Sequence, residues 1–256
     1  MALIKSIEFN KTQDDIGFPY QLGFFNVPID LSSVNIIVGD NGSGKSTLLE
    51  LLAQKLKLYQ IGQPLILPKP IDISIKYTLT KPKGFYFSAE DFTSYINQLE
   101  KDKAESKQAI KEIEIEYKDR SDYSKLLAKS PHMRTLGEIN HLYEKDLLTS
   151  SHGESYLSFF KSRIKPGQLF LLDEPETPLS FDNQLALIYI IHEATLQGAQ
   201  FIIATHSPII SACPKAKIFK LTNQTINETS YDTLESVQLL KDFLNNPDRY
   251  FHHLFH

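Results

Sequence analysis

A chain of 256 residues, 41 % hydrophobic and 23 % charged, has globular composition and is long enough to bury one substantial core. Its net charge of −4 excludes a global basic field that would draw it to nucleic acid, leaving only local patches for that role. The single cysteine, Cys213, excludes an internal disulfide and a cysteine-rich metal site. No apolar run approaches the roughly 20 residues of a membrane-spanning helix, and Met1–Lys5 does not open a signal peptide, so a cytoplasmic protein without membrane insertion is expected.

In chain order, Leu3 to Phe9 alternates apolar and polar residues and reads as a first strand. Phe18-Pro19-Tyr20 and Phe24-Phe25 read as a loop and second strand, their rings filling the core or, in the alternative, stacking on a base. Val34–Val38 is a short β-branched run of buried-strand type. Ser46 to Leu58 carries Leu48, Leu49, Leu51, Leu52 and Leu56 at helical spacing, with Gly62 as the expected stop. Residues 71–79 alternate cleanly as a strand, and Lys81-Pro82-Lys83-Gly84 turns the chain into Phe85-Tyr86-Phe87. From Ser94 to Ser130 interleaved Glu and Lys over a thin apolar stripe predict a solvated helix or helical hairpin. Its last part, with Lys118, Arg120, Lys125, Lys129 and Arg134, is either a solvated face or a contact for a polyanion or partner subunit.

The core resumes with the apolar strand Gln168–Leu172, a helix over 182–197, a buried strand Phe201–Thr205, a strand near Ile218–Leu221 and a helix around 233–244. Fully apolar strands alternating with helices predict a parallel sheet covered on both faces. His252, His253 and His256 are interleaved with Phe251 and Leu254 and read as a packed or frayed end, not as metal ligands.

The chemistry begins at Gly39-Asp40-Asn41-Gly42-Ser43-Gly44-Lys45-Ser46, which matches G-x-x-x-x-G-K-[ST] between a strand and a helix. Glycines there let consecutive N–H groups turn toward a phosphate, Lys45 reaches the β- and γ-phosphates, and the Ser46 hydroxyl suits Mg²⁺. Gly39–Ser46 and the adjoining Thr47 are therefore the expected nucleotide-binding residues. Asp173 ends an apolar strand, where a carboxylate serves a metal, and Glu174 next to it is placed to orient a water. His206 follows Phe201–Thr205, a strand expected beside the phosphate-loop strand, and would contact the γ-phosphate. Ser151-His152-Gly153-Glu154-Ser155 precedes a helix and is either an anion-binding helix start or a plain cap.

Together these segments resemble the ABC-type ATPase superfamily: the phosphate loop at Gly39–Ser46, Ser151–Ser155 as counterpart of its Ser-Gly-Gly-Gln signature, Leu171-Leu172-Asp173-Glu174-Pro175-Glu176, then His206. The resemblance implies an α/β P-loop fold of the ABC head type, with a parallel core sheet, an antiparallel N-terminal β portion and a helical insertion. It implies an N-terminal lobe over 1–93, the insertion over 94–147 and a C-terminal lobe over 148–256. It implies an ATPase using ATP and Mg²⁺, with Glu174, His206 and Lys45 catalytic, Ser46 and Asp173 on the metal, and Ser151, Gly153 and Glu154 closing on nucleotide in a head-to-tail homodimer. Thr177–Ser180 stands where the loop linking two subunits' sites belongs. A glutamine contacting metal and water has no clear counterpart; Ser88-Ala89-Glu90 occupies about its place.

Within the superfamily, the shortened signature and Asp-Glu-Pro-Glu resemble small soluble bacterial ATPases of the SMC- and RecF-like branch. That implies work on nucleic acid, in repair or anti-phage defence, with a nuclease-like partner. The alternative is the ATP-binding subunit of a membrane transporter. A P-loop kinase needs neither the paired Asp-Glu nor the histidine, and a clamp that barely hydrolyses ATP would not need Glu174.

Overall fold

The computed structural model describes residues 2–62, 64–67, 69–143 and 152–255. Two compact units emerge, one from residues 1–89 and 163–256, the other from 90–162.

The first unit opens with β1 (Ile4–Asn10), β2 (Ile29–Asp30) and β3 (Val34–Val38), followed by α1 (Lys45–Leu56), β4 (Tyr59–Gln60), β5 (Asp72–Tyr77) and β6 (Gly84–Ser88). The second unit is helical: α2 (Ala89–Glu116) starts at the boundary, and α3 (Asp122–Tyr143) and α4 (His152–Arg163) follow. The chain then returns to the first unit with β7 (Leu169–Asp173), α5 (Phe181–Leu196), β8 (Gln200–Ala204), α6 (Pro208–Ser211), β9 (Lys217–Leu221), β10 (Ile226–Thr229), α7 (Glu235–Asn245) and α8 (Pro247–Phe255).

Seven strands form one sheet in the order β10-β9-β3-β8-β7-β6-β4, parallel throughout except for β10 against β9. Successive side chains on a strand point to opposite faces, and β3, β7 and β8 are buried at every position, so both faces of the sheet are covered. On one face Ile37, Leu171, Ile202 and Ala204 pack with Leu48, Leu49 and Leu52 of α1. α5 lies against β8, burying Leu187, Ile190 and Ile191. Phe170 and Phe201, neighbours across the β7–β8 ladder, stack with centroids 5.1 Å apart.

A second, antiparallel sheet, β2-β1-β5, shares the core with α1. Gln200 at the start of β8 joins the two sheets. Its buried side chain accepts from Leu3 N–H (3.0 Å) and Ile4 N–H (2.8 Å) and donates to the carbonyls of Ile4 (2.9 Å) and Ser32 (2.8 Å). Asn35, also buried, accepts from Ser32 N–H and donates to the carbonyls of Ser32 and Phe201, so a polar residue inside β3 is fully paired.

Several sequence expectations shift. Phe24-Phe25 is not a strand; it is a loop joined to β1 by the single bridge Phe9–Phe25. The reason is packing: Phe24 and Phe25 stack at 4.9 Å and meet Phe9 edge-on, and Asn26 at φ 57° breaks the extended chain. The second strand is instead Ile29–Asp30. Helix α1 stops well before Gly62, because Lys57 adopts the left-handed conformation (φ 50°) and its N–H closes on the carbonyls of Ala53 and Gln54.

In the second unit Phe92, Tyr156, Phe159 and Phe160 form an aromatic cluster with centroid spacings of 4.9–6.4 Å. Lys129 of α3 pairs with Glu114 of α2 at 2.8 Å, so one member of the basic stretch is used inside the hairpin.

Candidate functional site

Because β3, β8 and β7 are adjacent and parallel, their C-terminal ends open on one edge of the sheet. The register is level, with Ile37 opposite Ala204 and Asp173 opposite Ala204. Gly39 follows β3, Glu174 follows β7 and His206 follows β8, so segments more than 160 residues apart in sequence meet at that edge. Between them lies a cavity of about 680 Å³, lined by Asn41, Gly42, Gly44–Thr47, Glu174 and His206, with Phe18 and Leu22 completing the wall. Tyr20, Phe24 and Phe25 are core residues; Phe18 is the aromatic of that loop that reaches the cavity.

The phosphate loop needs glycine for two distinct reasons. Gly44 has φ 97° and lies against Leu22, whose Cδ1 would stand 2.9 Å from an added Cβ. Gly39 runs so close to β9 that a Cβ would come within 2.2 Å of the Leu221 carbonyl oxygen. Gly44 also opens α1 without a side-chain cap, and the first turn holds no acidic residue, so the helix presents free N–H groups and its positive end to the cavity.

Lys45 is buried, and its Nζ donates to the carbonyls of Gly39 (2.9 Å) and Asp40 (3.1 Å), curling the side chain over the loop. Burial pushes its pKa below the ordinary lysine value; Glu174, Asp173, Asp40 and Glu176 oppose that shift.

Asp173, 7 % exposed at the end of β7, has its pKa pushed up to about 6. Burial is the main cause, the Ser46 hydroxyl hydrogen bond counters it, and the Glu174 charge adds to it. The Asp173 Oδ1 atom is buried and accepts no hydrogen bond from the protein. A buried carboxylate oxygen without a partner, beside a serine hydroxyl, is a donor set that fits Mg²⁺, a cation that prefers hard oxygen ligands.

Glu174 sits at φ 47°, a conformation uncommon for a non-glycine residue, and is held there by its N–H donating to the Ala204 carbonyl (2.9 Å). Its Oε1 lies 3.7 Å from Nε2 of His206, both side chains being part-exposed to the cavity. A carboxylate and an imidazole thus stand side by side at the cavity that the Gly39–Ser46 loop also lines.

The structure brings together Gly39–Thr47, Asp173, Glu174 and His206. Of the signature-like segment, Ser151 lies outside the described residues. His152, Gly153, Glu154 and Ser155 fall in α4, and their side chains are likewise outside the description. Ser88 pairs in register with Asp173, so the segment Ser88-Ala89-Glu90 begins at the same sheet edge.

Two residues that sequence reasoning left without a role also stand here. Glu176 accepts from the backbone N–H groups of His206 (2.7 Å) and Ser207 (3.1 Å), and Gln184 accepts from the Ser207 hydroxyl (2.6 Å). The only signal for Glu176 was its place in Asp-Glu-Pro-Glu; its partners lie some 30 residues away.

A family model described as ABC transporter matches residues 25–177, and one described as "AAA domain, putative AbiEii toxin, Type IV TA system" matches 155–212. Among curated relatives, the chain is 27 % identical over 204 residues to the energy-coupling factor transporter ATP-binding protein EcfA1 of Thermotoga maritima, covering 79 % of this chain and 71 % of that one. It is 28 % identical over 199 residues to the cobalt import ATP-binding protein CbiO of Salmonella typhimurium, covering 75 % and 70 %. Among solved structures, a nucleotide-free ATP-binding cassette from an ABC transporter superposes with a TM-score of 0.52 at 17 % identity, covering 94 % of this chain and 96 % of that chain.

Proposed function

The chain belongs to the ABC transporter family, whose ATPase domains hydrolyse ATP with Mg²⁺, and from that premise we propose that it is an ATP-binding subunit that closes head-to-tail on a second copy and drives a membrane-embedded partner. The observation that carries the catalytic half is the meeting of Lys45, Asp173, Glu174 and His206 around one cavity at the sheet edge.

The roles follow from position. The loop N–H groups and the α1 N-terminus hold the phosphates, and Lys45 swings its ammonium from the Gly39 and Asp40 carbonyls to the β- and γ-phosphates. Ser46 and Asp173 would hold Mg²⁺, which when bound would neutralise charge on the phosphates. Glu174 accepts a proton from the water that attacks the γ-phosphorus, as the bond from that phosphorus to the β–γ bridging oxygen breaks and ADP leaves. In this reading His206, whose Nε2 lies 3.7 Å from Glu174, hydrogen-bonds the γ-phosphate. Ser151, Gly153 and Glu154 of a second copy complete the site in this reading, as the family resemblance implies.

The load is argued from the relatives. They are named as import and energy-coupling ATP-binding proteins, which supports a membrane partner. No described helix is long and apolar enough to cross a membrane, so in this reading the partner supplies the membrane-spanning part. Nucleic-acid repair, anti-phage defence and a nuclease-like partner, implied by likeness to the SMC- and RecF-like branch, find no support among these relatives, and the acidic net charge weighs against them.

Two measurements test the reading. Phosphate release under Mg-ATP should fall by about 10²–10³-fold in Glu174→Gln with ATP affinity kept; a variant that hydrolyses normally overturns the assignment of the base. In fractionated source cells the protein should sediment with membranes and leave them in alkaline carbonate. Complete recovery in the soluble fraction, with no membrane protein bound, overturns the membrane partner.

A further inference from the structure

Beyond the phosphate loop, the Asp-Glu pair and the histidine, one part-buried hydrogen-bond ring at this edge has no assigned role. Glu176 stands two residues past Glu174, and its Oε1 accepts from the N–H groups of both His206 and Ser207, at 2.7 and 3.1 Å. The Ser207 hydroxyl accepts from Ile209 N–H and Ile210 N–H, capping α6, and donates to Oε1 of Gln184 at 2.6 Å. The Gln184 Nε2 in turn donates to the Leu179 carbonyl at 3.2 Å. The chain between Glu176 and Leu179 is itself a tight turn, with Leu179 N–H donating to the Glu176 carbonyl at 2.8 Å. The ring therefore runs Glu176, His206–Ser207, Gln184, Leu179 and back to Glu176.

We propose that Glu176 is a positioning residue for ATP hydrolysis, fixing the His206 loop to the turn Thr177–Ser180, with Gln184 closing the link. The proposal rests on the site reading above, in which His206 faces the γ-phosphate. Three features support it. A carboxylate bonded to two consecutive N–H groups fixes the peptide that carries the imidazole, and charge-assisted bonds of this kind are stronger than neutral ones. The Glu176 Oε2 atom is buried and takes no hydrogen bond from the protein, so its hold on the loop rests on Oε1 alone. Ser207, the other end of the link, is anchored both by its cap on α6 and by the Thr205 hydroxyl, which accepts from Ser207 N–H at 2.9 Å. A displacement of Thr177–Ser180 therefore pulls on the backbone of His206 through two paths, Glu176 directly and Leu179–Gln184–Ser207 indirectly.

The test is a double-mutant cycle on steady-state hydrolysis by the full chain. Glu176→Ala should lower kcat by about ten-fold with KM for ATP changed by less than about three-fold, and Glu176→Gln, which keeps an accepting oxygen, should recover part of the loss. In a His206→Ala background Glu176→Ala should cost nothing further, because the residue acts through the histidine. Equal losses in both backgrounds, or a rise in KM at unchanged kcat, overturn the proposal. If Glu176→Ala melts too low to assay, Gln184→Ala takes its place, with the same dependence on His206 expected and the same independence contradicting it. Full activity in His206→Ala alone is a different failure: it overturns the reading of the site, and this inference with it.

Discussion

Asp173 pays for its place at the end of β7 in proton affinity. Its carboxyl is held at about 6 where an exposed aspartate sits at 3.8, so the apoprotein binds that proton more tightly than the unfolded chain. The contribution to stability is thus complete below pH ~4 and lost as the pH rises through about 6, amounting to about 3 kcal/mol across that window. Melting curves without nucleotide should show wild type falling relative to Asp173→Asn between pH 4 and 7; parallel curves contradict the burial argument. Cys213 gives a second residue-scale prediction. It is 6 % exposed with its thiol pushed up to about 11 by burial, so thiol reagents at pH 8 should label it only after unfolding. Rapid labelling of the native protein contradicts its packing. At this scale Lys45 and Ser46 were marked as candidates by the fixed local spacing of the loop, and Asp173 by ending an apolar strand, and the structure places all three at one sheet edge. Glu176 was not, because its partners are backbone N–H groups of a loop that only the sheet order brings near.

At the scale of elements, β8 shows how a polar residue can organise an apolar sheet. Gln200 satisfies two N–H groups and two carbonyls that join the antiparallel sheet to the parallel one. Gln200→Leu keeps the bulk but leaves those groups unmet, and should lower stability by about 3 kcal/mol in denaturant titrations; a change under about 0.5 kcal/mol contradicts the strut. The strands β3, β7 and β8 were readable from apolar runs ending in punctuated turns, since burial on both faces leaves no other pattern. Phe24-Phe25 misled for the same reason, as adjacent aromatics satisfy a strand pattern and a packed loop equally well. The role of Gln200 could not be read at all, since nothing local says that a glutamine opening a strand faces another sheet.

At the scale of the molecule, the parallel order around β3, β8 and β7 puts the phosphate-loop residues, Asp173, Glu174 and His206 of the candidate site on one edge of the sheet. Half of the proposed site, the signature-like segment, comes from a second copy in this account, so pairing and ATP binding are one event. The order of the motifs along the chain made the fold class and the ATPase chemistry legible. The load was not, because partner choice resides in outer surfaces whose residues carry no fixed pattern. The direct test is sedimentation velocity of Glu174→Gln with and without Mg-ATP, with Lys45→Ala beside it as the variant deprived of its phosphate contact. The account predicts a dimer only for Glu174→Gln with Mg-ATP. A monomer that holds ATP at saturation contradicts it.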